Sequence, residues 1–390
     1  MTRSNEAILH STANTLTRSA APSVLVELAA EAGIRFNGNN PWDIQVCDDE
    51  VYNRILAKGS LGFGEAYMDG LWECERLDEL FTRLLKHDIN DKIRGWTRLR
   101  LLTGMLRSRF LNPQSYHRAF HVGEHHYDTG NEVFEAMLDS SMSYSCAYWA
   151  NADTLEQAQQ HKLDLICKKL ELKEGEWLLD IGCGWGGLAR YAAEHYGVAV
   201  TGITVSREQL RLARENCSGL PVNIELMDYR DLNGNFDKIV SVGMFEHVGP
   251  KNYPVYFDTV QRLLADDGLF LLHTIGDYTT AHQTDPWIEK YIFPNSKIPS
   301  AKQIATAVEE RFIIDDWHSF GADYDRTLMA WWDNFDAAWP ELKDDYDERF
   351  YRMWKYYLMS CAGLFRSRQG QLWQLVLSKR QRNKVYRSLR

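Results

Sequence analysis

The stretch Trp177-Leu178-Leu179-Asp180-Ile181-Gly182-Cys183-Gly184-Trp185-Gly186-Gly187-Leu188 decides the fold of this chain. A short apolar run ends in an acid and is followed by glycines and a helical pattern, which predicts a strand, a tight turn and a helix. Glycines at positions 182, 184 and 187 let the backbone turn sharply and approach a ligand closely. The free N–H groups at the start of the helix then point at that ligand. The stretch therefore predicts a nucleotide-cofactor loop.

Around this loop, predicted strands and helices alternate along the chain. Strands are expected near residues 177–181, 198–203, 222–226, 237–242 and 268–274. Helices are expected near residues 155–170, 187–196, 206–216, 252–265 and 301–311. Two aromatic helices, near 327–338 and 348–367, precede a last strand at 372–377. Alternation of this kind predicts an α/β fold in which helices cover both faces of a parallel sheet.

The first part of the chain predicts a separate, smaller unit. A length of 390 residues exceeds what one hydrophobic core usually serves, so two domains are expected. The early pattern indicates helices at 23–32, 49–58 and 77–85, an extended piece at 43–46 and a glycine-rich turn region at 59–70. Asn112-Pro113 interrupts the pattern and marks the boundary. We therefore predict a small α+β domain over residues 1–115 and a larger domain over residues 116–390.

Composition and charge restrict the class of protein. The net charge of −10 argues against a general nucleic-acid binder. Seven cysteines without a C-x-x-C pair suggest neither a disulfide framework nor a zinc ribbon, and they fit a reducing compartment. The sequence has no long uninterrupted apolar segment. Together these observations predict a cytoplasmic protein without a membrane-spanning helix.

A basic amphipathic segment runs from residue 92 to residue 109. Its basic residues are Lys92, Arg94, Arg98, Arg100, Arg107 and Arg109. With apolar residues between these charges, such a segment suits the interface of an anionic bilayer. The same pattern fits a solvated helix that packs its apolar face on its own domain. The pattern leaves both interpretations open, and Gly95 and Gly104 weaken the prediction of a helix.

The residues around the glycine loop indicate the kind of cofactor that it binds. Dinucleotide-binding enzymes place an acid about 20 residues after the glycines, where it binds the ribose. That acid is missing here, because the second strand ends in Gly202-Ile203-Thr204-Val205-Ser206. Asp180 instead lies just before the glycines, where a carboxylate can face the ammonium group of a ligand. Hydroxyl groups and Gln209 are left to make the polar contacts after the second strand.

Several motifs, in order along the chain, resemble one family. They are Gly64-Glu65-Ala66-Tyr67-Met68-Asp69-Gly70, Ser143-Tyr144-Ser145-Cys146-Ala147-Tyr148-Trp149, Asp180-Ile181-Gly182-Cys183-Gly184-Trp185-Gly186-Gly187, Gly202-Ile203-Thr204-Val205-Ser206, Gly243-Met244-Phe245-Glu246-His247-Val248-Gly249 and His273-Thr274-Ile275-Gly276. The Asp-x-Gly-x-Gly segment is similar to the signature of S-adenosylmethionine-dependent methyltransferases, and the whole set resembles the bacterial cyclopropane-fatty-acyl-phospholipid synthases. The resemblance implies a Rossmann-like class I methyltransferase domain, with a mostly parallel, doubly wound sheet and one antiparallel strand.

The resemblance also implies an activity and the residues that serve it. The enzyme would transfer a methylene group from S-adenosylmethionine to the cis double bond of unsaturated acyl chains in membrane phospholipids. The residues implied at S-adenosylmethionine are Tyr144, Ser145, Leu179, Asp180, Gly182, Cys183, Gly184, Trp185, Gly186, Thr204, Gln209, Tyr229 and Arg230. The residues implied around a bound bicarbonate ion, which would act as the base, are Cys146, Glu246, His273, Ile275 and Tyr324.

The implied bicarbonate site has a defined chemistry. Cys146 and Ile275 would donate backbone N–H groups, and Glu246, His273 and Tyr324 would contribute their side chains. A carboxylate beside an anion is favourable only where the bicarbonate hydroxyl donates to Glu246, because like charges repel. No metal site is expected, since the pair His125-His126 has no third ligand at useful spacing.

Two other functions stay open at this point. An enzyme of the same fold would instead give methyl-branched acyl chains, and a catalytically silent protein would only bind lipid. Glu246 favours ring closure over methyl branching, and the intact Asp180 and His273 argue against a silent protein. The resemblance further implies a homodimer that associates peripherally with the inner face of the membrane.

Overall fold

The computed structural model describes residues 21–87, 130–280 and 284–390. The basic segment at 92–109, the proposed boundary at Asn112-Pro113 and the pair His125-His126 lie outside the described residues. The interpretations of these three features therefore stay predictions.

Helices and strands are numbered in chain order through the described residues. The helices are α1 (Ser23–Glu31), α2 (Glu50–Lys58), α3 (Ser60–Met68), α4 (Leu77–Lys86), α5 (Asn131–Met137), α6 (Leu155–Lys169), α7 (Gly187–Tyr196), α8 (Arg207–Asn216), α9 (Tyr253–Leu263), α10 (Pro286–Tyr291), α11 (Ala301–Val308), α12 (Ala322–Leu342) and α13 (Glu348–Arg366). The strands are β1 (Gln45–Val46), β2 (Trp72–Glu73), β3 (Trp177–Ile181), β4 (Ala199–Thr204), β5 (Val222–Leu226), β6 (Phe236–Val242), β7 (Leu264–Asp277), β8 (Ile313–Ser319) and β9 (Gly370–Ser378). Short 3-10 turns lie at Tyr229–Asp231, Phe245–His247 and Pro250–Asn252.

A seven-stranded sheet with the order β5-β4-β3-β6-β7-β9-β8 forms the centre of the larger unit. β3 pairs in parallel with β4 and β6, whereas β9 runs antiparallel to both of its neighbours, β7 and β8. The predicted α/β fold with one antiparallel strand is confirmed. The chain runs from β3 through β4 to β5 on one side and then returns to β6 on the other. Open α/β sheets bind ligands at such a reversal.

The central strands are buried on both faces, as is usual for parallel sheets. Residues that alternate along a strand point to opposite faces, so each strand supports two layers of helices. Leu179 belongs to the core cluster that includes residues of α9 and α11. Its neighbour Leu178 belongs to the cluster that includes residues of α6 and α7. The apolar run before the glycines therefore holds β3 between two helical layers.

The fold differs from the sequence-based expectation at several elements, among them α3 and β8. Residues 59–70 were expected to form a turn region, but α3 occupies most of them. The glycines of α3 serve close packing, because a Cβ at Gly64 would lie 2.4 Å from Trp287 Cδ1. The edge strand β8 was not predicted, and the acids Asp315 and Asp316 interrupt its apolar pattern.

The N-terminal helices share one hydrophobic core with α12 and α13. Phe81 of α4 packs edge-on against Tyr356 of α13, with 4.9 Å between ring centroids. A Cβ at Gly363 would lie 2.6 Å from Phe81 Cβ, so the two helices touch closely there. The early residues thus pack directly on the larger unit. Across the described ranges, no helix combines the length and the apolar character needed to cross a membrane.

Candidate active site

A cavity of about 220 Å³ opens at the carboxyl ends of β3 and β4, where the strand order reverses. Eleven of the residues implied at the cofactor line it: Tyr144, Ser145, Asp180, Gly182, Cys183, Gly184, Trp185, Thr204, Gln209, Tyr229 and Arg230. Leu179 is instead buried in the core of the sheet. Gly186, which precedes α7, packs against α8, where a Cβ would lie 2.9 Å from Cys217 Sγ. The structure therefore brings most of the implied cofactor residues to one cavity.

The glycine loop leaves its backbone open to that cavity. Gly182 has a φ of +85°, which L residues with side chains rarely adopt, and a Cβ there would lie 2.8 Å from Met244 Cβ. Gly184 has a φ of +55°, and a Cβ there would meet no atom within 4 Å. Since both glycines line the cavity, the loop can approach a bound ligand closely.

Asp180 lines the cavity as a buried acid. Its Oδ2 is enclosed and has no hydrogen-bond partner among the described residues. Burial raises the pKa of Asp180 to about 7, and the positive charge of Lys162 partly offsets this rise. A buried carboxylate oxygen without a partner is unfavourable unless a ligand supplies a donor. The cavity therefore fits a ligand that carries an ammonium group, such as the amino group of S-adenosylmethionine.

Lys162 is a candidate residue that the sequence analysis missed. It is fully buried in α6, it lines the cavity, and its Nζ donates a hydrogen bond to Ser145 Oγ at 2.9 Å. Burial lowers the pKa of Lys162 to about 8, and the nearby charges of Asp139 and Asp180 act against this change. The sequence carried a signal, because Lys162 follows Leu155 and Ala158 at the spacing of a buried helix face.

The segment that carries Tyr144 and Ser145 is fixed from two sides. Gln159 of α6 donates hydrogen bonds from Nε2 to the carbonyl oxygens of Ser143, at 3.2 Å, and Ser145, at 3.0 Å. The hydroxyl of Tyr144 lies 2.7 Å from the hydroxyl of Tyr357 in α13. These contacts hold the segment against the cofactor cavity and link it to α13.

Side chains after β4 and β5 complete the cavity. Thr204 Oγ1 donates to Gln209 Oε1 at 2.8 Å, which fixes the orientation of the Gln209 amide. Asp228, also missed from the sequence, accepts hydrogen bonds from Arg230 Nε and Nη2, both at 2.7 Å. The largely buried ring of Tyr229 packs edge-on against Tyr256, with centroids 5.2 Å apart. Each residue is thus held in place at the carboxyl edge of the sheet.

None of the five residues implied at bicarbonate lines the cofactor cavity itself; His273 and Ile275 lie in β7, and Tyr324 lies in α12. Glu246 lies in the turn after β6, and its neighbours Met244 and His247 line that cavity. The N–H of Ile275 in β7 donates to Glu246 Oε1 at 2.7 Å. Glu246 Oε2 is buried and has no hydrogen-bond partner in the described ranges. Burial raises the pKa of Glu246 to about 7, although the Ile275 N–H works in the opposite direction.

This hydrogen bond connects Ile275 directly to Glu246, and the role implied for Ile275 at bicarbonate stays a prediction. The resemblance implied that the Ile275 N–H donates to bicarbonate. In the structure, the same N–H donates to Glu246. Ile275 therefore orients the Glu246 carboxylate and directs its second oxygen away from this bond.

His273 lies on the same face of β7 as Ile275, because side chains two residues apart in a strand point the same way. Gln374 of the neighbouring strand β9 donates from Nε2 to His273 Nδ1 at 3.1 Å, so His273 carries its proton on Nε2. His273 Nε2 is buried and has no hydrogen-bond partner among the residues that the structure describes. Burial, the largest cause, lowers the pKa of His273 well below its usual value and keeps the ring neutral.

Tyr324 and Cys146 complete the group. Tyr324, near the start of α12, stacks on Phe365 with centroids 4.4 Å apart. Burial raises the pKa of Tyr324 far above its usual value, and the nearby Cys146 and Glu246 add to this rise. Cys146 is fully buried, and burial also raises the pKa of its thiol far above the usual value. Cys146 therefore stays protonated, and its sulfur is a poor nucleophile.

By their chemistry, one of these residues offers an acceptor and another a donor of the kind that a bicarbonate ion requires. Glu246 Oε2 can accept a hydrogen bond from the hydroxyl of the ion, and His273 Nε2–H can donate to one of its other oxygens. Both are buried polar atoms without a partner in the described residues, and such atoms are rare unless water or a ligand binds them.

Comparisons with known proteins point in one direction. Residues 114–375 match the family model described as mycolic acid cyclopropane synthetase. Over 354 residues, the chain is 56% identical to the cyclopropane-fatty-acyl-phospholipid synthase of Escherichia coli. This alignment covers 90% of this chain and 92% of that protein. It is 33% identical to the tuberculostearic acid methyltransferase UfaA1 of Mycobacterium tuberculosis, covering 84% of this chain and 81% of the relative.

Solved structures of two cyclopropane synthases resemble about two thirds of this chain. The cyclopropane synthase MmaA2 of Mycobacterium tuberculosis superposes with a TM-score of 0.63 at 32% identity, over 67% of this chain and 98% of that one. The mycolic acid cyclopropane synthase CmaA1, solved in a complex with SAH and CTAB, gives a TM-score of 0.63 at 31% identity, with the same shares covered.

Proposed function

Because the chain belongs to the mycolic acid cyclopropane synthetase family, we infer that it transfers a methylene group from S-adenosylmethionine to the cis double bond of unsaturated phospholipid acyl chains. It is a methyltransferase, and its products are cyclopropane acyl chains and S-adenosylhomocysteine. The observation that carries this function is a cofactor cavity whose lining residues Met244 and His247 stand close in the chain to the buried Glu246.

The protein contributes binding, orientation and exclusion of water. When bound, S-adenosylmethionine supplies the methyl group and bicarbonate supplies the base. Addition of a methyl group to the double bond leaves a positive carbon in the acyl chain, and loss of a proton from that methyl group closes the ring. Water that reached the positive carbon would give an alcohol, so the site must be dry. The burial of Glu246, His273 and Cys146 meets this requirement.

We assign the roles of the chain's residues as follows. Asp180 binds the amino group of the methyl donor, with Ser145 held in place by Lys162. Glu246 and His273 hold and orient the bicarbonate ion, Tyr324 encloses it, and Ile275 orients Glu246. General bases positioned in this way usually accelerate a reaction by about 10²–10⁴-fold.

Analysis of the lipid product tests the proposed function. The purified protein is incubated with S-adenosylmethionine and vesicles that contain cis-unsaturated phospholipid, and the acyl chains are analysed by mass spectrometry. Ring closure adds one carbon and two hydrogens to the unsaturated chain. The proposal would be contradicted if the acyl chains stayed unmodified and no S-adenosylhomocysteine formed above the level of a protein-free control.

A second candidate is formation of methyl-branched chains. The match to the tuberculostearic acid methyltransferase favours this second function. The identity to that methyltransferase is 33%, however, whereas the identity to the cyclopropane-fatty-acyl-phospholipid synthase is 56%. The two products differ in hydrogen count when the branched chain is also reduced. The same mass spectra therefore separate a cyclopropane chain from a saturated, methyl-branched one.

Lys162→Met should weaken the binding of S-adenosylmethionine by about ten-fold or more near neutral pH. The substitution removes the hydrogen bond from Lys162 that holds Ser145 at the cavity, and a hydrogen bond of a charged group contributes about 1.5–3 kcal/mol. The substitution also removes the positive charge that lowers the pKa of Asp180, so the pH at which binding is half-maximal should rise. Calorimetric titrations over the neutral pH range measure both effects. Lys168→Met alters an exposed lysine of the same helix and should change neither. An unchanged midpoint in Lys162→Met would contradict the coupling to Asp180.

Membrane association is proposed from the sequence of the basic segment at 92–109. Charge reversal at Arg94, Arg98 and Arg107 should reduce binding to anionic vesicles by at least roughly 100-fold, since each basic residue near the surface contributes about 1 kcal/mol and each reversed charge is repelled. Vesicle sedimentation measures the change. A matched triple reversal at the exposed residues Lys173, Arg207 and Arg211 serves as the control. Equal binding by the first variant and the unmodified protein would refute docking through this segment.

We further propose that the protein is a cytoplasmic homodimer on the inner face of the membrane. Sedimentation equilibrium tests its dimeric state.

A further inference from the structure

A second cavity, of about 180 Å³, lies between the N-terminal helices and α13. Residues of α1, α2, α3, α4, α10 and α13 surround it. Its lining includes Leu28, Phe36, Ile55, Phe81, Leu84 and Leu364. Most of the described lining residues precede residue 114, where the family match begins. The family match therefore assigns no role to this cavity.

The chemistry of the lining suits a hydrocarbon. Asp285 is the one charged side chain in the described lining, and its Oδ1 accepts hydrogen bonds from the N–H groups of Trp287, at 2.9 Å, and Ile288, at 3.3 Å. That carboxylate is thus engaged at the start of α10. Apolar surface gains from contact with another apolar surface, whereas a charged or strongly polar ligand would lose its hydration here.

Helix α13 separates this cavity from the proposed reaction site and contacts both. Tyr356, Cys361 and Leu364 line the second cavity. One residue along from Tyr356, the hydroxyl of Tyr357 lies 2.7 Å from that of Tyr144, which lines the cofactor cavity. One residue along from Leu364, Phe365 stacks on Tyr324. The second cavity and the reaction site therefore lie on different sides of the same helix.

We propose that the second cavity binds the acyl chain of the phospholipid substrate that is not being modified, while the unsaturated chain occupies the reaction site. This inference rests on the proposed function, because a membrane phospholipid carries two hydrocarbon chains. A two-chain lipid fits an apolar cavity and a reaction site on either side of one helix. The N-terminal unit thereby takes part in substrate recognition.

Photolabelling tests this directly. The probe is a phospholipid with a diazirine near the methyl end of its saturated chain and a cis double bond in the other chain, presented in vesicles. After irradiation, peptides from α1, α4 and α13 should carry most of the label. Leu28→Trp fills the cavity from α1 and should reduce the labelling of these peptides at least ten-fold. Val26→Trp places the same ring on the exposed side of the same helix and should leave the labelling unchanged.

Several results would overturn the proposal. Label confined to the peptides around Glu246 and Tyr324, an absence of label, or equal labelling in the two tryptophan variants would each contradict it. The peptide map of the unmodified protein decides the question even where Leu28→Trp fails to fold. Labelling does not depend on turnover, so labelled α1 and α4 peptides without ring formation would contradict the proposed function and leave lipid binding in the cavity supported.

Discussion

Glu246→Gln is expected to reduce ring formation by at least about 100-fold, because the base that closes the ring loses its support. The glutamine keeps the shape of the side chain, and its Oε1 can still accept the hydrogen bond from the Ile275 N–H, which is 2.7 Å long in the structure. Its amide nitrogen then replaces the oxygen that has no partner among the described residues. An N–H group cannot accept a hydrogen bond from the bicarbonate hydroxyl, so the ion is no longer oriented for proton removal.

The measurement separates this effect from loss of the fold. Mass spectrometry follows cyclopropane chains in vesicle lipids, and calorimetry follows the binding of S-adenosylmethionine, which should be unchanged. Glu208→Gln, at an exposed position in α8, should retain full activity. In buffer depleted of bicarbonate, the unmodified enzyme should slow and then recover when bicarbonate is restored, whereas Glu246→Gln should respond to neither change. A fully active Glu246→Gln enzyme would refute the proposed role.

The sequence predicted the sheet well because its signals are local. The apolar run before Asp180 ends at the glycines, and the bounds expected for this strand, 177–181, and for the following helix, 187–196, agree with β3 and α7. Local signals misled where a residue serves a distant contact. The glycines of α3 were interpreted as turn residues, although Gly64 is required by the approach of Trp287, which is more than 200 residues away in the chain.

Prediction of the site had a similar limit. The motifs placed Asp180 and Glu246 at the carboxyl ends of strands, because the strand pattern fixes where a strand ends. The partners of these residues depend on tertiary packing. A lysine in a helix usually lies in solvent, so Lys162 was not recognised as a buried donor to Ser145. The hydrogen bond from the Ile275 N–H to Glu246 depends on how β7 lies against the turn after β6, which a sequence pattern does not show.

Asp180→Asn should weaken the binding of S-adenosylmethionine by about 10- to 150-fold at pH 8, since a hydrogen bond between charged groups contributes about 1.5–3 kcal/mol. Asparagine keeps the shape of the side chain but cannot carry the negative charge that attracts the ammonium group. Calorimetry gives the affinity directly. Asp153→Asn, at an exposed position before α6, is the matched control and should bind normally.

The pH dependence of binding gives a sharper test of the same residue. Burial raises the pKa of Asp180 to about 7 in the free protein, so the carboxyl group is protonated below that pH. The ammonium group binds the ionised form, and a proton must leave before binding at lower pH. Affinity should therefore fall by about ten-fold for each pH unit below about 7 and level off above it. Lys162 has a pKa of about 8, so it loses its positive charge above that pH, and the plateau in affinity ends there. In Asp180→Asn the acidic fall should disappear, and its persistence would show that another group is responsible.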